Sequence, residues 1–157
     1  MVMATPPTTP STTTQSWHDP DTVDAMLRAG TWAVVGLSGD PSRTAYAIAS
    51  LLQERGKRIV PIHPSFADPA MPAVLGEQGY ATLADVPFGI DVVDVFRRSE
   101  AAGQFADEAV AIGAKGVWFQ LGVLDPEAFE RTTAAGVPMV MDTCPAIEWP
   151  HVAGSVA

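Results

Sequence analysis

Two adjacent arginines, Arg97 and Arg98, are the residues of this sequence whose type and spacing most suggest chemistry. They directly follow the apolar segment DVVDVF at 91–96, and they are two of only nine basic residues in 157. The planar guanidinium group forms paired hydrogen bonds with phosphate oxygens. Because successive side chains diverge, we expect one arginine to contact a phosphate-bearing ligand and the other to have a structural partner. The alternative is that one of them faces solvent or pairs with Glu100.

A glycine-containing turn at 36–43, with the sequence GLSGDPSR, is a second candidate for phosphate binding. Its free N–H groups and the positive end of the following helix dipole would attract an anion. Gly36 and Gly39 would let the backbone approach a phosphate closely, and Arg43 would add charge. Their spacing is G-x-x-G and not the G-x-G-x-x-G of dinucleotide sites, so a turn that needs glycine only for its dihedral angles remains open.

Alternating strands and helices would position both segments. Short apolar runs predict strands at 31–36, 58–62, 91–96, 115–120 and 138–142. Helical patterns with capping signals predict helices at 19–30, 44–55, 100–112 and 125–136. In the third helix, Phe105, Ala109 and Ile112 share one face and are expected to contact the core. This alternation indicates a parallel sheet that is covered on both faces.

The segment 64–89 shows no strong helix, and a short edge strand near Tyr80 fits there, followed by a turn at Thr82. With that strand the sheet order is 3-2-1-4-5-6. The fold class predicted is therefore α/β, a single Rossmann-like, doubly wound domain with a mostly parallel sheet.

Ligands of such sheets bind at the carboxyl ends of the strands, where the strand order reverses. Five segments should meet at this edge: the turn 36–43, His63-Pro64, Arg97-Arg98-Ser99, Gln120-Leu121-Gly122 and Thr143-Cys144-Pro145.

The second strand ends in Val60-Pro61-Ile62-His63-Pro64, with no acidic residue. An NAD site usually has Asp or Glu there to bind the ribose 2′-hydroxyl. The absence disfavours NAD and leaves room for a nucleotide that carries a 3′- or 2′-phosphate. His63 could approach the ribose or adenine, or it could be a partly exposed loop histidine.

Composition limits the classes of partner. The formal net charge is −9, which argues against binding nucleic acid over a broad face. No apolar run approaches the ~20 residues of a membrane helix. Residues 1–16 are rich in Thr and Pro and lack the features of a secretory signal, so we expect a disordered tail before a domain at 17–157. The single cysteine is compatible with the cytoplasm.

Cys144 is the only candidate covalent nucleophile in the sequence. A reactive thiol needs a base or a cation that lowers its pKa, so a buried, inert thiol is the default expectation. His18, His63 and His151 lack the spacing of metal ligands, and we predict no metal site.

Five segments together resemble a known family. They are TWAVVGLSGDPSRTAY at 31–46, RIVPIHP at 58–64, DVVDVFRRSE at 91–100, AIGAKGVWFQLGV at 111–123 and VPMVMDTCPAIEWP at 137–150. The chain is similar to the small stand-alone CoA-binding proteins of bacteria and archaea. Their domain is similar to the CoA-binding domain of the succinyl-CoA synthetase alpha subunit. Two departures are the His63-Pro64 pair, where asparagine-proline is common, and the absence of a proline between Arg43 and Tyr46.

The resemblance implies a Rossmann-like fold that holds CoA across the strand ends. The turn would cradle phosphates, His63-Pro64 would border the adenosine, and segments 96–98 and 120–122 would complete the groove. The implied binding residues are Gly36, Leu37, Ser38, Gly39, Ser42, Arg43, His63, Pro64, Phe96, Arg97, Arg98, Gln120, Leu121 and Gly122.

The expected function is binding of CoA or an acyl-CoA by a module without catalytic activity of its own. CoA ligases use a further domain with a phosphorylated histidine, which we do not find in this sequence. The alternatives are an NAD(P)-dependent oxidoreductase and a regulatory subunit that senses CoA for another protein. If the pantetheine arm reaches the last strand, the CoA thiol could form a mixed disulfide with Cys144 under oxidation.

Overall fold

A computed structural model describes residues 16–152. Most of the predicted tail at 1–16, and residues 153–157 of the predicted domain, lie outside the described residues. The helices are α1 (Pro20–Arg28), α2 (Thr44–Glu54), α3 (Ser99–Ala111), α4 (Pro126–Ala134) and the short α5 (Pro145–Glu148). The strands are β1 (Thr31–Val35), β2 (Arg58–Ile62), β3 (Val92–Val95), β4 (Gly116–Phe119) and β5 (Met139–Val140). Short 3-10 turns lie at Pro64–Ala67, Leu83–Asp85 and Trp149–His151.

The five strands form one parallel sheet in the order β2-β1-β3-β4-β5. Apolar side chains alternate between its two faces, and both faces are buried. Ala33 and Val35 of β1 face one core with α3 and α4, whereas Trp32 and Val34 face the other with α1 and α2. The prediction of a single Rossmann-like α/β domain is therefore confirmed.

The predicted edge strand near Tyr80 is wrong in detail. Tyr80 makes only an isolated parallel bridge with Ile62: its N–H donates to Pro61 O (2.9 Å), and His63 N–H donates to its carbonyl (3.1 Å). The order is thus the predicted one without its outermost strand. Glycines and prolines interrupt this segment, and Gly79 lies so close to the ring of Phe66 that a Cβ there would overlap it. Such residues prevent a longer ladder.

The predicted buried face of α3 is also partly wrong. Ile112 follows the helix and is 37% exposed, and Phe105 is only half-buried. Small residues face the core instead: Ala102, Gly103, Ala106 and Ala109. A Cβ at Gly103 would lie 2.8 Å from the carboxylate of Asp125, so α3 approaches α4 too closely for a larger residue.

Within residues 16–152, no helix has the length and apolar character needed to cross a membrane.

Candidate functional site

A cavity of about 350 Å³ opens at the carboxyl ends of β1, β2 and β3, at the point where the strand order reverses. Seven residues line it, and all but Ala101 belong to the predicted binding set: Gly36, Arg43, His63, Phe96, Arg97, Arg98 and Ala101. Three arginines and one histidine therefore line a single cavity in a chain whose net charge is −9.

Gly36 lines the cavity directly after the end of β1. Its φ is +100°, and a Cβ at this position would lie 3.0 Å from the carbonyl oxygen of Phe96 and 3.3 Å from the Phe96 Cβ. The N–H of Gly36 donates to Ile62 O at 2.8 Å, so this group is already used by the sheet. Gly36 is thus needed for its dihedral angle and for the close approach of Phe96, and the role of the Gly36 backbone in phosphate binding stays a prediction.

The rest of the turn offers unpaired N–H groups. The backbone N–H groups of Leu37, Ser38 and Gly39 make no hydrogen bond with other residues of the described range. The side chain of Leu37 is fully buried, so only its backbone can contact a ligand. The turn is held by Asp40, whose Oδ1 accepts from Ser42 N (3.0 Å) and Ser42 Oγ (2.7 Å).

These contacts bear on the charge of the turn and on the role of Ser42. The hydrogen bonds from the Ser42 hydroxyl and then from its backbone N–H, together with nearby Arg43, lower the pKa of the Asp40 carboxyl. The Ser42 hydroxyl is therefore occupied by Asp40. Ser42 belongs to the turn and does not line the cavity.

Two of the helices beside the cavity begin with an arginine. Arg43 is the N-cap of α2 and Arg98 is the N-cap of α3; both have extended backbone angles, and neither side chain caps the first turn. Arginine has no hydrogen-bond acceptor and cannot satisfy the free N–H groups of a helix start. Its charge is also repelled by the positive end of the helix dipole. Both helix starts are therefore open toward an anion.

Both members of the arginine pair line this cavity. Arg97 is half-buried and Arg98 is exposed. Neither forms an ion pair with another residue of the described range, where the cation–carboxylate pairs are Arg28–Asp24, Lys115–Asp91 and Arg131–Asp107. The expectation that one of the two arginines has a structural partner therefore differs from the structure, in which both residues line the same cavity.

His63 closes the cavity on the side of β2. It is the N-cap of the 3-10 turn at Pro64–Ala67, where its Nδ1 accepts from Ser65 N at 3.1 Å and lies 2.8 Å from Ser65 Oγ. Partial burial, followed by the charges of Arg97 and Arg43, lowers the pKa of His63. Pro64 supplies the first residue of this exposed turn and lies outside the cavity lining.

Comparison with known proteins shows the family to which this chain belongs. A sequence model of the CoA binding domain matches residues 30–150, which include every strand and the whole cavity lining. The chain belongs to the CoA binding domain family. The uncharacterized Bacillus subtilis protein YneT is 32% identical over 121 residues, which span 77% of this chain and 86% of YneT.

Two solved structures have the same fold. A Thermus thermophilus protein is 34% identical with a TM-score of 0.76, and the match covers 85% of this chain and 98% of that one. A hypothetical protein from Pyrococcus horikoshii is 28% identical with a TM-score of 0.76, and the match covers 94% and 99% of the two chains. The architecture of this CoA binding domain is therefore shared along almost the full length of both proteins.

In this CoA binding domain, the loop after β4 lies outside the cavity lining. Gln120 is buried, and its Oε1 has no hydrogen-bond partner in the described range. Leu121 is 58% exposed, and Gly122, with φ of +85°, donates its N–H to Asp142 Oδ1 at 2.8 Å. These three residues continue the carboxyl edge toward β5, so their contact with a ligand stays a prediction.

Cys144 of the domain is 7% exposed and packs in the core beside α2. It is not among the residues that line the cavity. The mixed disulfide with a CoA thiol stays a prediction, and it would require oxidised CoA as the electron acceptor. Exchange would then join Cys144 Sγ to one CoA sulfur and release the other CoA as its thiol.

Two residues of the domain were missed by sequence reasoning. Ala101 lines the cavity from the first turn of α3, where a small residue next to the arginine pair was the available signal. Asp94 lies in β3 between Val34 and Trp118 and is fully buried, with no partner for either carboxylate oxygen in the described range. Burial raises the pKa of the Asp94 carboxyl well above its usual range. Its signal was an acid inside an apolar strand.

A larger cavity of about 520 Å³ lies at the opposite, amino end of the sheet of the domain, beside Met26, Val92 and Pro138. It is mainly apolar, and its one cation, Lys115, is 3.6 Å from the carboxylate of Asp91. It therefore offers no unpaired positive charge to a phosphate. In residues 16–152, no group of three or more His, Cys, Asp or Glu side chains is arranged to hold a metal ion.

Proposed function

We propose that this chain binds coenzyme A at the carboxyl edge of its sheet, with phosphate groups held by Arg43, Arg97 and Arg98. The proposal depends on one observation: α2 and α3 both begin with an arginine beside the same cavity, and neither arginine side chain caps its helix. Family membership supports coenzyme A as the phosphate-bearing ligand.

The electrostatics support a ligand with several negative charges. Three guanidinium groups around one cavity repel each other and the two helix dipoles, and no carboxylate lines the cavity to neutralise them. An anion placed between them relieves this repulsion and accepts charge-assisted hydrogen bonds. The N–H groups of Leu37, Ser38 and Gly39 supply further donors at the adjacent turn.

The end of β2 favours coenzyme A over NAD. A carboxylate that accepts from the ribose hydroxyls is usual there in NAD sites. In this chain β2 ends at Ile62 and is followed by His63, a donor that lies near two arginines. A ribose that carries a phosphate suits these groups better than a free diol.

The proposed role is that of a binding or regulatory module in the cytoplasm. The cavity is lined by arginine, histidine, phenylalanine, glycine and alanine residues, with no thiol, hydroxyl or carboxylate side chain to act as a nucleophile. The arrangement is therefore suited to holding an anionic ligand, and we assign it no reaction step.

A thermal-shift titration of the full chain with CoA, acetyl-CoA, NAD and NADP tests the proposal. A ligand that binds only the folded state raises its stability by about 2.7 kcal/mol at 100 times its dissociation constant. We expect CoA or acetyl-CoA to raise the Tm and NAD to leave it unchanged. Stabilisation by NAD without stabilisation by CoA would contradict the proposal and favour the oxidoreductase alternative.

A further inference from the structure

We propose that His63 binds a phosphate oxygen of the ligand as a neutral hydrogen-bond donor through Nε2, and that the arginines supply all of the positive charge. This inference rests on the proposed function, because it concerns the same cavity. It assigns to His63 a specificity role that its residue type alone does not give, since a histidine among arginines is ordinarily taken for an additional cation.

The tautomer follows from the cap of the 3-10 turn. Pro64 has no N–H, so Ser65 N–H is the first free donor of the turn, and it donates to His63 Nδ1 at 3.1 Å. A backbone N–H cannot accept a hydrogen bond, so Nδ1 must be unprotonated. The neutral ring then carries its proton on Nε2.

The same contact keeps the ring uncharged. Protonation of Nδ1 would remove the acceptor of Ser65 N–H and place a third cation beside Arg43 and Arg97. Burial and these two arginines lower the pKa of His63, which also favours the neutral ring. The charged and titratable groups that act on the ring are thus Arg97 and Arg43, both of which line the cavity with it.

Nε2 is the nitrogen that remains for the ligand. It makes no hydrogen bond within residues 16–152, and His63 lines the cavity together with Arg43 and Arg97, whose charges act on its ring. Because Arg43 and Arg97 are both cations, they favour a negatively charged acceptor beside the ring. A phosphate oxygen is therefore a better partner for the Nε2–H group than a neutral acceptor. The source of that oxygen is the 3′-phosphate or the diphosphate of coenzyme A.

Two uncharged substitutions that both preserve the cap of the 3-10 turn distinguish a role of His63 as a hydrogen-bond donor from a role as a cation. Asparagine and serine are both good N-cap residues. In His63→Asn, Oδ1 accepts from Ser65 N–H and the amide NH₂ remains as a donor toward the cavity. In His63→Ser, the hydroxyl caps the turn but is too short to reach a ligand.

Calorimetric titration with CoA should therefore show His63→Asn within about threefold of the wild type and His63→Ser weaker by about tenfold or more. The ratio of the wild-type to the His63→Asn affinity should stay constant from pH 6.5 to 8, since this ratio removes the titration of the ligand's own phosphate. Repeating the series with 3′-dephospho-CoA identifies the oxygen: the serine defect disappears if the 3′-phosphate is the acceptor and persists if the diphosphate is.

An imidazole ¹H–¹⁵N spectrum of the full chain supplies a direct readout. We expect the pattern of a neutral ring protonated at Nε2, with a shift of that nitrogen when CoA is added. Equal losses in both variants, equal retention in both, or a doubly protonated ring in the complex would overturn the inference while CoA binding stands. Absence of CoA binding by the wild type would overturn the proposed function and, with it, the role of His63.

Discussion

Helices α1 to α4 all begin at the carboxyl edge of the sheet, but they begin in two different ways. Helices α1 and α4 start with Asp19 and Asp125, whose side chains accept from Thr22 N and Ala128 N at 3.0 Å each. Helices α2 and α3 start with Arg43 and Arg98, which cap nothing. In the first pair an aspartate side chain accepts from one N–H group of the first turn, whereas the first turns of the second pair have no side-chain cap and keep N–H groups available to a ligand.

The difference shows which part of the edge is built for stability and which for binding. An aspartate cap contributes about 0.5–2 kcal/mol to a helix, and its charge also interacts favourably with the dipole. An arginine at the same position forgoes both contributions. The two arginine starts flank the point where the strand order reverses, and there the lost helix stability coincides with the proposed phosphate site.

The largest effect should come from removing the arginine pair. In Arg97→Ala/Arg98→Ala, each lost guanidinium removes charge-assisted hydrogen bonds worth about 1.5–3 kcal/mol, so CoA affinity should fall about 100-fold or more. Titration calorimetry at low and high salt measures this, and the defect should shrink as salt rises.

The matched control for that variant is Lys115→Ala/Arg131→Ala. It also removes two positive charges, but from residues that lie away from the cavity and are paired with Asp91 and Asp107. CoA affinity should be nearly unchanged in the control. Equal losses in the two double variants would mean that net charge alone, and not the arginine starts, determines binding.

Asp94 differs from the capping aspartates Asp19 and Asp125, because it lies in the core and caps no helix. Its pKa is raised by burial, so the folded state holds a proton that the unfolded state releases above about pH 4. Its contribution to the free energy of unfolding therefore falls as the pH rises, by about 1.4 kcal/mol per unit, until the pH passes the raised pKa.

Asp94→Asn should remove this decline while keeping the shape of the side chain. Denaturant unfolding of both proteins from pH 4 to 9 measures the difference. Wild type and Asp94→Asn should diverge as the pH rises, with the variant gaining relative stability. Parallel curves across this range would show that Asp94 is ionised in the folded state or reaches solvent.

Exchanging a cap should change stability and affinity in opposite directions. In Arg98→Asn, the new side chain can accept from the first turn of α3, so the free energy of unfolding should rise by about 1 kcal/mol. The same change removes a cation from the cavity, and CoA affinity should fall about tenfold or more. A variant that loses both stability and affinity would mean that Arg98 has a structural role at the start of α3.

The reciprocal change at an aspartate start should give the opposite result. Asp125→Ala removes the bond to Ala128 N and should lower stability by about 1 kcal/mol, or a Tm shift of roughly 2–4 °C. CoA affinity should stay within about twofold of the wild type, because α4 begins outside the cavity. Thermal melts with and without CoA measure both quantities, and a selective loss of affinity would extend the site to α4.

The sequence predicted the strands and helices well where local signals are strong. Asp-Pro pairs mark the starts of α1 and α4, and Gly56 separates α2 from β2, so these particular bounds follow from capping and turn residues alone. The edge strand at Tyr80 failed because one β-type residue among glycines and prolines pairs only once. The face of α3 was misjudged because its contact with α4 at Gly103 depends on the distance between two helices.

The site was predicted by a general rule for the edge of the sheet, and its details required the structure. That Arg43, His63, Arg97 and Arg98 meet follows from strand order. That both adjacent arginines face one cavity does not, since it depends on the extended backbone at the start of α3. The use of the Gly36 N–H by Ile62 and of His63 Nδ1 by Ser65 are likewise contacts between atoms that spacing along the chain does not reveal.

The central claim is that CoA binds at the starts of α2 and α3 and not at the starts of α1 and α4. Its most direct test is an amide ¹H–¹⁵N titration of the full, ¹⁵N-labelled chain with CoA. The largest shifts should occur at the free N–H groups of Leu37, Ser38 and Gly39 and in the first turns of α2 and α3. The amide resonances of Thr22 and Ala128 should not shift, because these N–H groups already donate to their aspartate caps. Shifts concentrated at α1 and α4, or at the amino end of the sheet around Met26, would contradict the assignment of the arginine starts as the phosphate site.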